Sequence, residues 1–261
     1  MLSLDIAATG MQAQQMNVDV ISNNIANMTT GGFKRQRAQF QDLIYQNKVR
    51  PGTTSSSSGT ILPSGIQLGL GVKPGSIYRI NEQGPLAMTG NQYDLAISGR
   101  GYFQITMPNG EIGYTRDGTF QINADGALVN AQGYLVEPTI TIPADATDVT
   151  ISEDGLVQVK IAGQTATQQV GQLQLVTFQN DAGMEAIGNN LYLETEASGA
   201  PTTGNPTDVG FGKLQQGARE QSNVNVVEEI TSLISAQRAY EMNSKVIQTS
   251  DDMLGTITQL R

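Results

Sequence analysis

Two apolar ladders with a seven-residue step bracket this chain. Leu4, Met11, Val18 and Ile25 form one at the start. Val226, Leu233, Tyr240, Ile247 and Leu254 form the other near the end. A recurrence of seven lines up apolar side chains along one side of a helix, and such a seam is stable only when another helix covers it. The spacing predicts helices over residues 3–27 and 222–260, with seams that meet each other or meet neighbouring copies of the chain. Isolated helices of this kind are marginal in water. They are expected to fray in the monomer and to order on assembly.

The polar residues around the ladders agree with that reading. The first helix carries Gln12, Gln14, Gln15, Asn17, Asn23 and Asn24 with almost no charge, where a solvated helix would carry Lys and Glu. Amides suit a face that packs against protein while still hydrogen bonding. Its end is expected at Thr29-Thr30-Gly31-Gly32, since glycine accepts a left-handed cap. On the second helix, capped by Ser222 or Asn223, a companion ladder of Glu229, Ala236, Asn243, Ser250 and Ile257 is mostly small and polar. Such positions permit close helix approach or amide bonding across an interface. Met11, Met16, Met28, Met242 and Met253 are core filler or an adaptable contact surface.

Composition narrows the function classes. The chain has no His and no Cys, which removes the usual general base, the usual zinc ligands and all disulfide and thiol chemistry. Aromatic residues make up 5%, Trp is absent and Gly numbers 29, which points to a turn-rich, elongated molecule. The net charge is −9, and residues 51–218 hold fifteen acidic residues against six basic ones. An acidic middle argues against nucleic-acid binding. No apolar run reaches the ~18 residues of a membrane span. The start, Met1-Leu2-Ser3-Leu4-Asp5, lacks the basic n-region and apolar core of a secretory signal.

Between the helices the pattern changes period. Tyr93 to Ser98, Tyr102 to Thr106 and Thr119 to Asn123 alternate as strands do. Turn signals at Asn109-Gly110, Asp125-Gly126, Asp154-Gly155 and Asp181-Ala182-Gly183 separate such runs. Short strands with tight turns read as an antiparallel meander, sandwich or barrel. The chain is therefore expected to be α+β. Residues 1–30 with 222–261 make a helical coiled-coil domain. Residues 31–68 are a connecting segment with an extended arm at 46–65, and 69–221 form a β-rich domain. The arm, rich in Ser and Gly, is a flexible linker by composition alone, or a segment that orders against neighbours.

Candidate chemistry is sparse. Gly99-Arg100-Gly101 lacks the third glycine and following helix of a phosphate loop, so it reads as a β-turn. Asp117, Asp125, Glu153 and Asp154 could make a carboxylate pair or a calcium site, but each sits in a turn signal that needs it anyway. Lys34, Arg35 and Arg37 form a basic cluster that reads as a solvated face or an intersubunit salt bridge. Arg116 and Asp117 read as a local exposed ion pair. No catalytic, cofactor or metal residue is assigned.

Several segments together resemble the bacterial flagellar rod and hook proteins. They are Ser22-Asn23-Asn24-Ile25-Ala26-Asn27 with Gly32-Phe33-Lys34; Asp94 to Gln104; Tyr114 to Asn123; and Asn223 to Glu229 with Arg238, Tyr240 and Asn243. The family commonly has Asn where Gly31 stands. Within the family, the length and the segment 46–65, with Arg50, Pro51, Leu62, Pro63 and Gly65, resemble the members that build the distal rod. The resemblance implies a self-assembling, non-enzymatic, straight hollow tube whose terminal helices line an axial channel, with β domains outside. It implies export without a cleavable signal through the flagellar type III apparatus. It also implies a place in the basal body, crossing the periplasm to the outer membrane. The partners it implies are the proximal rod proteins, the hook protein and the surrounding L/P ring proteins, with no nucleic acid and no membrane insertion. The arm at 46–65 is expected to stiffen the tube. Rival readings are a proximal rod or hook-type subunit, a β-rich carbohydrate enzyme using Asp117 or Asp154, and an adhesin-like binding module.

Overall fold

In the computed structural model, which describes residues 2–51, 64–163 and 166–259, the two ladders lie on helices. Leu2–Ala26 is α1 and Val226–Gln259 is α2. At 1.5 Å per residue the 34 residues of α2 run about 51 Å. Neither Ser222 nor Asn223 caps α2. The helix starts later, because the Asn223 amide is committed to the Arg35 N–H and the carbonyls of Ile80 and Glu82. After α1 the chain turns through residues 27–32. Thr30 donates its N–H to the Asn27 carbonyl (3.2 Å) and its hydroxyl to the Asn27 side chain. The left-handed residue of this turn is Gly32, at φ +67°, and not Gly31.

The chain divides into two compact units. One comprises Met1–Ile25, Gln36–Tyr78 and Val226–Arg261. It contains the helices and two two-stranded sheets. Gln36–Asp42 pairs with Val72–Arg79, and Tyr45–Val49 runs antiparallel to Ile66–Gly69, with Tyr45 opposite Gly69. The Leu43 N–H donates to the Gly71 carbonyl (2.8 Å) between the two ladders. Most residues of Tyr45–Val49 and Ile66–Gly69 are exposed.

The other unit comprises Ala26–Arg35 and Arg79–Asn225. Its main sheet has seven strands in the order Glu185–Gly188, Leu191–Leu193, Ile112–Thr115, Phe103–Thr106, Leu135–Glu137, Leu128–Val129 and Gln121–Ile122. Ala146–Ile151, Leu156–Ile161 and Thr167–Gln172 form a three-stranded meander. Leu95–Ser98 pairs with Lys213–Gln216, Leu86–Met88 with Ala218–Glu220, and Leu175–Thr177 with Thr202–Gly204. Every pairing in this unit is antiparallel, as the tight turns require. Period-two alternation sets the core. Phe103 and Ile105 point inward with Leu95, Ile97, Phe120, Leu173, Leu175 and Leu214, while Gln104 and Thr106 stay half-buried. A second cluster gathers Tyr102, Tyr114, Val176, Phe178, Met184 and Tyr192. Its rings meet edge to face, with Tyr114 and Phe178 at 4.8 Å, the arrangement aromatic quadrupoles favour. Turns at Gly110, Gly126 and Gly155 adopt positive φ, as the turn signals require. Asp181–Gly183 differs and closes a short 3-10 turn instead.

Candidate assembly interface

The helices touch through small and polar side chains. Asn24 Nδ2 donates to Glu229 Oε2 at 3.1 Å. Ser250 Oγ reaches Ser3 Oγ at 3.5 Å. A Cβ on Gly10 would come within 2.9 Å of Asn243 Nδ2. These three contacts share one antiparallel register: each step of seven along α1 is a step of seven back along α2. That register places Asn17 opposite Ala236. The companion ladder of α2 is thus its deepest face, with Glu229, Ala236 and Ser250 6%, 3% and 2% exposed. Asn24 lies 1% exposed and also ties α1 to the next strand, exchanging hydrogen bonds with the Gln36 backbone at 2.8 and 2.9 Å. Small residues let the backbones approach, and the buried amide and carboxylate satisfy each other.

The apolar ladders flank this seam. Leu4, Met11, Val18 and Ile25 are half-buried, as are Val226, Leu233, Ile247 and Leu254, while Tyr240 is 43% exposed. Val227, Ile230, Ile234, Met242, Val246 and Met253 are exposed as well. A groove of about 510 Å³ opens among Gln15, Val18, Gln237, Tyr240 and Glu241. One side of α2 therefore presents a run of large apolar side chains to solvent, more than scattered surface residues account for. Of the remaining motif positions, Asn23 and Arg238 sit on exposed helix surface and Asn243 is half-buried.

Phe33 and Lys34 belong to the β-rich unit. Phe33 is half-buried there. Lys34 is not solvated: its side chain is 3% exposed, and Nζ lies 2.6 Å from Glu220 Oε1 and 2.8 Å from the Glu82 carbonyl. Burial pulls its pKa below the usual lysine value, against the attraction of Glu220, and the Arg116 charge pulls the same way. Arg116 is not an exposed partner of Asp117. Its Nε lies 2.9 Å from Glu220 Oε2, and Nη1 donates to the carbonyls of Gly99 (2.8 Å) and Gly101 (2.7 Å). Glu220 also accepts from the Gly84 N–H at 2.9 Å. One buried carboxylate is thus saturated by two cations and an amide, which a buried charge requires. The sequence reading missed Glu220. Its partners lie 186 and 104 residues away, and the local sequence signals only an alternating strand.

Arg116 also settles Gly99-Arg100-Gly101. The carbonyls of its two glycines face a cation, whereas a phosphate loop must present N–H groups. The acidic candidates are held in turns. Asp117 accepts from Thr119 and from Asn190 Nδ2 (3.2 Å), Asp154 accepts from Thr207 (2.9 Å), and Glu153 pairs with Lys213 at 3.2 Å. Of the arm residues, Arg50 and Pro51 follow the Tyr45–Val49 strand and Gly65 precedes Ile66–Gly69. Leu62 and Pro63 lie outside the described residues. Gly65 packs so closely on the chain that a Cβ would meet the Val49 carbonyl oxygen at 2.3 Å. The flanks of the segment thus form a paired hairpin base. Among the described residues no helix is long and apolar enough to cross a membrane.

Comparison with known proteins agrees along the chain. Residues 4–34 match the model of the flagella basal body rod protein family, 96–159 that of the flagellar hook protein FlgE/F/G D1 domain, and 215–260 that of the flagellar basal body rod FlgEFG protein C-terminal region. The chain is 60% identical over 261 residues to the flagellar basal-body rod protein FlgG of Caulobacter vibrioides, covering 100% of each. It is 49% identical to FlgG of Agrobacterium fabrum, with 99% of both chains covered. It is 40% identical to FlgG of Bacillus subtilis, with 99% of this chain and 98% of that one covered. A solved Helicobacter pylori hook protein, FlgE2, covers 69% of this chain and 42% of its own at 17% identity and a TM-score of 0.23, too low to carry any argument here. The antiparallel β unit between two long terminal helices and the full-length identities lead to one conclusion: the chain belongs to the FlgG family of flagellar basal-body rod proteins.

Proposed function

We propose that this chain is a structural subunit of the flagellar distal rod, assembling with copies of itself into a straight, hollow helical tube. The single observation that carries the mechanism is the uncovered apolar face of α2, from Val227 through Ile230, Ile234, Met242 and Val246 to Met253. Burying such side chains is worth roughly 1.5–3 kcal/mol each. A repeating contact with a neighbouring copy supplies that burial at every subunit, and a head-to-tail contact that does not close generates a helix. In the tube the terminal helices, 1–30 and 222–261, pair as coiled coils around the axial channel, with Leu4, Met11, Val18, Ile25 and the α2 ladder facing sister subunits. The β-rich region, 69–221, lies outside and meets the ring proteins.

The tube acts as a drive shaft from motor to hook, joins proximal rod proteins below and hook protein above, and forms part of the export channel. The segment 46–65 wedges between neighbours and stiffens it. Its paired base at Tyr45–Val49 and Ile66–Gly69 has too little core to stand alone, since a two-stranded hairpin is marginal in water. The role is structural rather than catalytic, and the commitment of Asp117 and Asp154 to turns supports that. Labelling the subunit on isolated basal bodies tests the assignment. Label confined to the straight segment between proximal rod and hook supports it; label in the proximal rod or the hook refutes it. Deleting 46–65 and measuring tube curvature tests the arm, and an unchanged straight, rigid polymer rejects that role.

A further inference from the structure

The chain passes between its two units at Ile25–Ala26, Arg35–Gln36, Tyr78–Arg79 and Asn225–Val226. Inside the β-rich unit, two side chains tie the segments that lead to the last three of these passages. The Asn223 amide is fully used: Oδ1 accepts from the Arg35 N–H at 2.7 Å, and Nδ2 donates to the carbonyls of Ile80 (2.9 Å) and Glu82 (3.0 Å). The Ile80 N–H donates back to the Arg35 carbonyl at 2.8 Å. Three residues earlier, Glu220 holds Lys34, Arg116 and Gly84, and its own carbonyl accepts from the Gly32 N–H at 2.9 Å. Segments 32–35, 80–84 and 220–223 are therefore bonded to one another through two residues, and the Arg116 bond anchors the group to the end of the Ile112–Thr115 strand.

We propose that Asn223 and Glu220 form a mechanical node, positioning residues that make these segments share force when torque passes through the chain. The inference rests on the rod-subunit reading above and adds specific residues to it. Buried ionic groups contribute little more net stability than apolar packing of equal volume. What this arrangement adds is direction: apart from the Arg116 pair, every bond of these two residues fixes one segment against another. A pull on one of these three segments must then break bonds to the other two together, instead of peeling a single strand.

The test uses cells producing the full-length chain with Asn223→Ala, with Glu220→Gln, or with Val159→Ala. The last removes buried volume from the three-stranded meander, far in sequence from the node. Rod assembly is scored by electron microscopy of basal bodies, and endurance by the rate at which tethered motors lose their filaments under high load. The expected result is normal rods in all three strains, filament loss raised at least tenfold at high load for Asn223→Ala and Glu220→Gln, and wild-type endurance for Val159→Ala. Endurance unchanged in the node variants, or equally poor in Val159→Ala, overturns the proposal. Should a node variant fail to build rods, hydrogen exchange on the soluble full-length Asn223→Ala protein decides. Exchange accelerated on the order of tenfold at residues 32–35, 80–84 and 221–224 together supports the node, and acceleration at 221–224 alone rejects it. Wild-type chain missing from isolated rods would instead sink the rod-subunit reading, a separate outcome.

Discussion

Replacing Gly32 by Ala should cost the β-rich unit far more than its single methyl suggests. Gly32 sits at φ +67°, where an L-residue with a Cβ loses about 1–2 kcal/mol. The new Cβ would also lie 2.8 Å from the Asp117 nitrogen and 2.9 Å from the Arg116 carbonyl carbon. Both neighbours are backbone and both are pinned. The Asp117 N–H donates to Thr115 Oγ1 at 3.0 Å, and the Arg116 side chain is anchored on Glu220, Gly99 and Gly101. Forcing a methyl into such a site adds about 1–3 kcal/mol, for a total of about 2–5 kcal/mol. Gly133 supplies the control. Its φ is +85°, and nothing lies within 4 Å of a Cβ there, so Gly133→Ala should lose only the backbone term of about 1–2 kcal/mol. Gly31→Ala, at ordinary φ and meeting a side-chain oxygen of Asp117 at 3.1 Å rather than backbone, should cost about 1 kcal/mol, less than Gly32→Ala. Urea titration followed by tyrosine fluorescence measures all three. With a slope of about 2 kcal/mol/M, the Gly32→Ala midpoint should fall by roughly 1–2.5 M, against roughly 0.5–1 M for Gly133→Ala. A Gly32→Ala midpoint indistinguishable from that of Gly133→Ala would refute the close-contact argument.

Three further outcomes follow from the same contacts. Burial, with help from the Glu194 charge, raises the Tyr114 hydroxyl to about 12, and burial also raises Tyr102 and Tyr192. The unfolded chain releases these protons near pH 10 while the folded chain keeps them. Their contribution to stability is therefore level below pH 10 and falls above it, by about 1.4 kcal/mol per pH unit for Tyr114 alone up to about pH 12. Urea midpoints at pH 9, 10 and 11 check this, and Tyr114→Phe should flatten the fall. Arg116→Met should destabilise by about 3–5 kcal/mol, since it strips the buried Glu220 carboxylate and the Gly99 and Gly101 carbonyls at once. Lys34→Met should cost only about 1–2 kcal/mol because Glu220 keeps Arg116 and Gly84; equal losses in thermal or urea melts would contradict the ranking. Ile234→Glu, on the exposed face of α2, should leave soluble-state stability within about 0.5 kcal/mol yet abolish tube formation by sedimentation.

How far the fold could be read in advance depended on periodicity. The helices are long, and their seven-residue recurrence is unmistakable. The strands around Phe103 and Ile105 announce themselves because one face is buried and the other is not. An apolar template alone would assign the seam between the helices to solvent, since its deepest residues, Asn24, Glu229, Ala236 and Ser250, are small or polar; the uncharged amides of the first helix and the small companion ladder of the second are what made it legible. The hairpin of Tyr45–Val49 and Ile66–Gly69 shows no alternation because both of its faces are largely exposed. Buried charge was least legible. Lys34 sits in a basic run that looks solvated, and Arg116 sits beside an Asp that looks like its partner. Both instead turn to Glu220, which only the folded topology brings near. Ser222 and Asn223 looked like helix caps because they are good caps. Their position at a crossing of three segments gave Asn223 other work.

The central claim is that the terminal helices are incomplete until sister chains cover them. Amide hydrogen exchange of residues 5–25 and 228–250, compared between the soluble chain and assembled tubes, tests it most directly. The account predicts rapid exchange in the soluble chain and strong protection in the tube, with the Phe103–Thr106 and Leu156–Ile161 strands protected in both. Strong protection of both helices in the soluble chain at every concentration would contradict it.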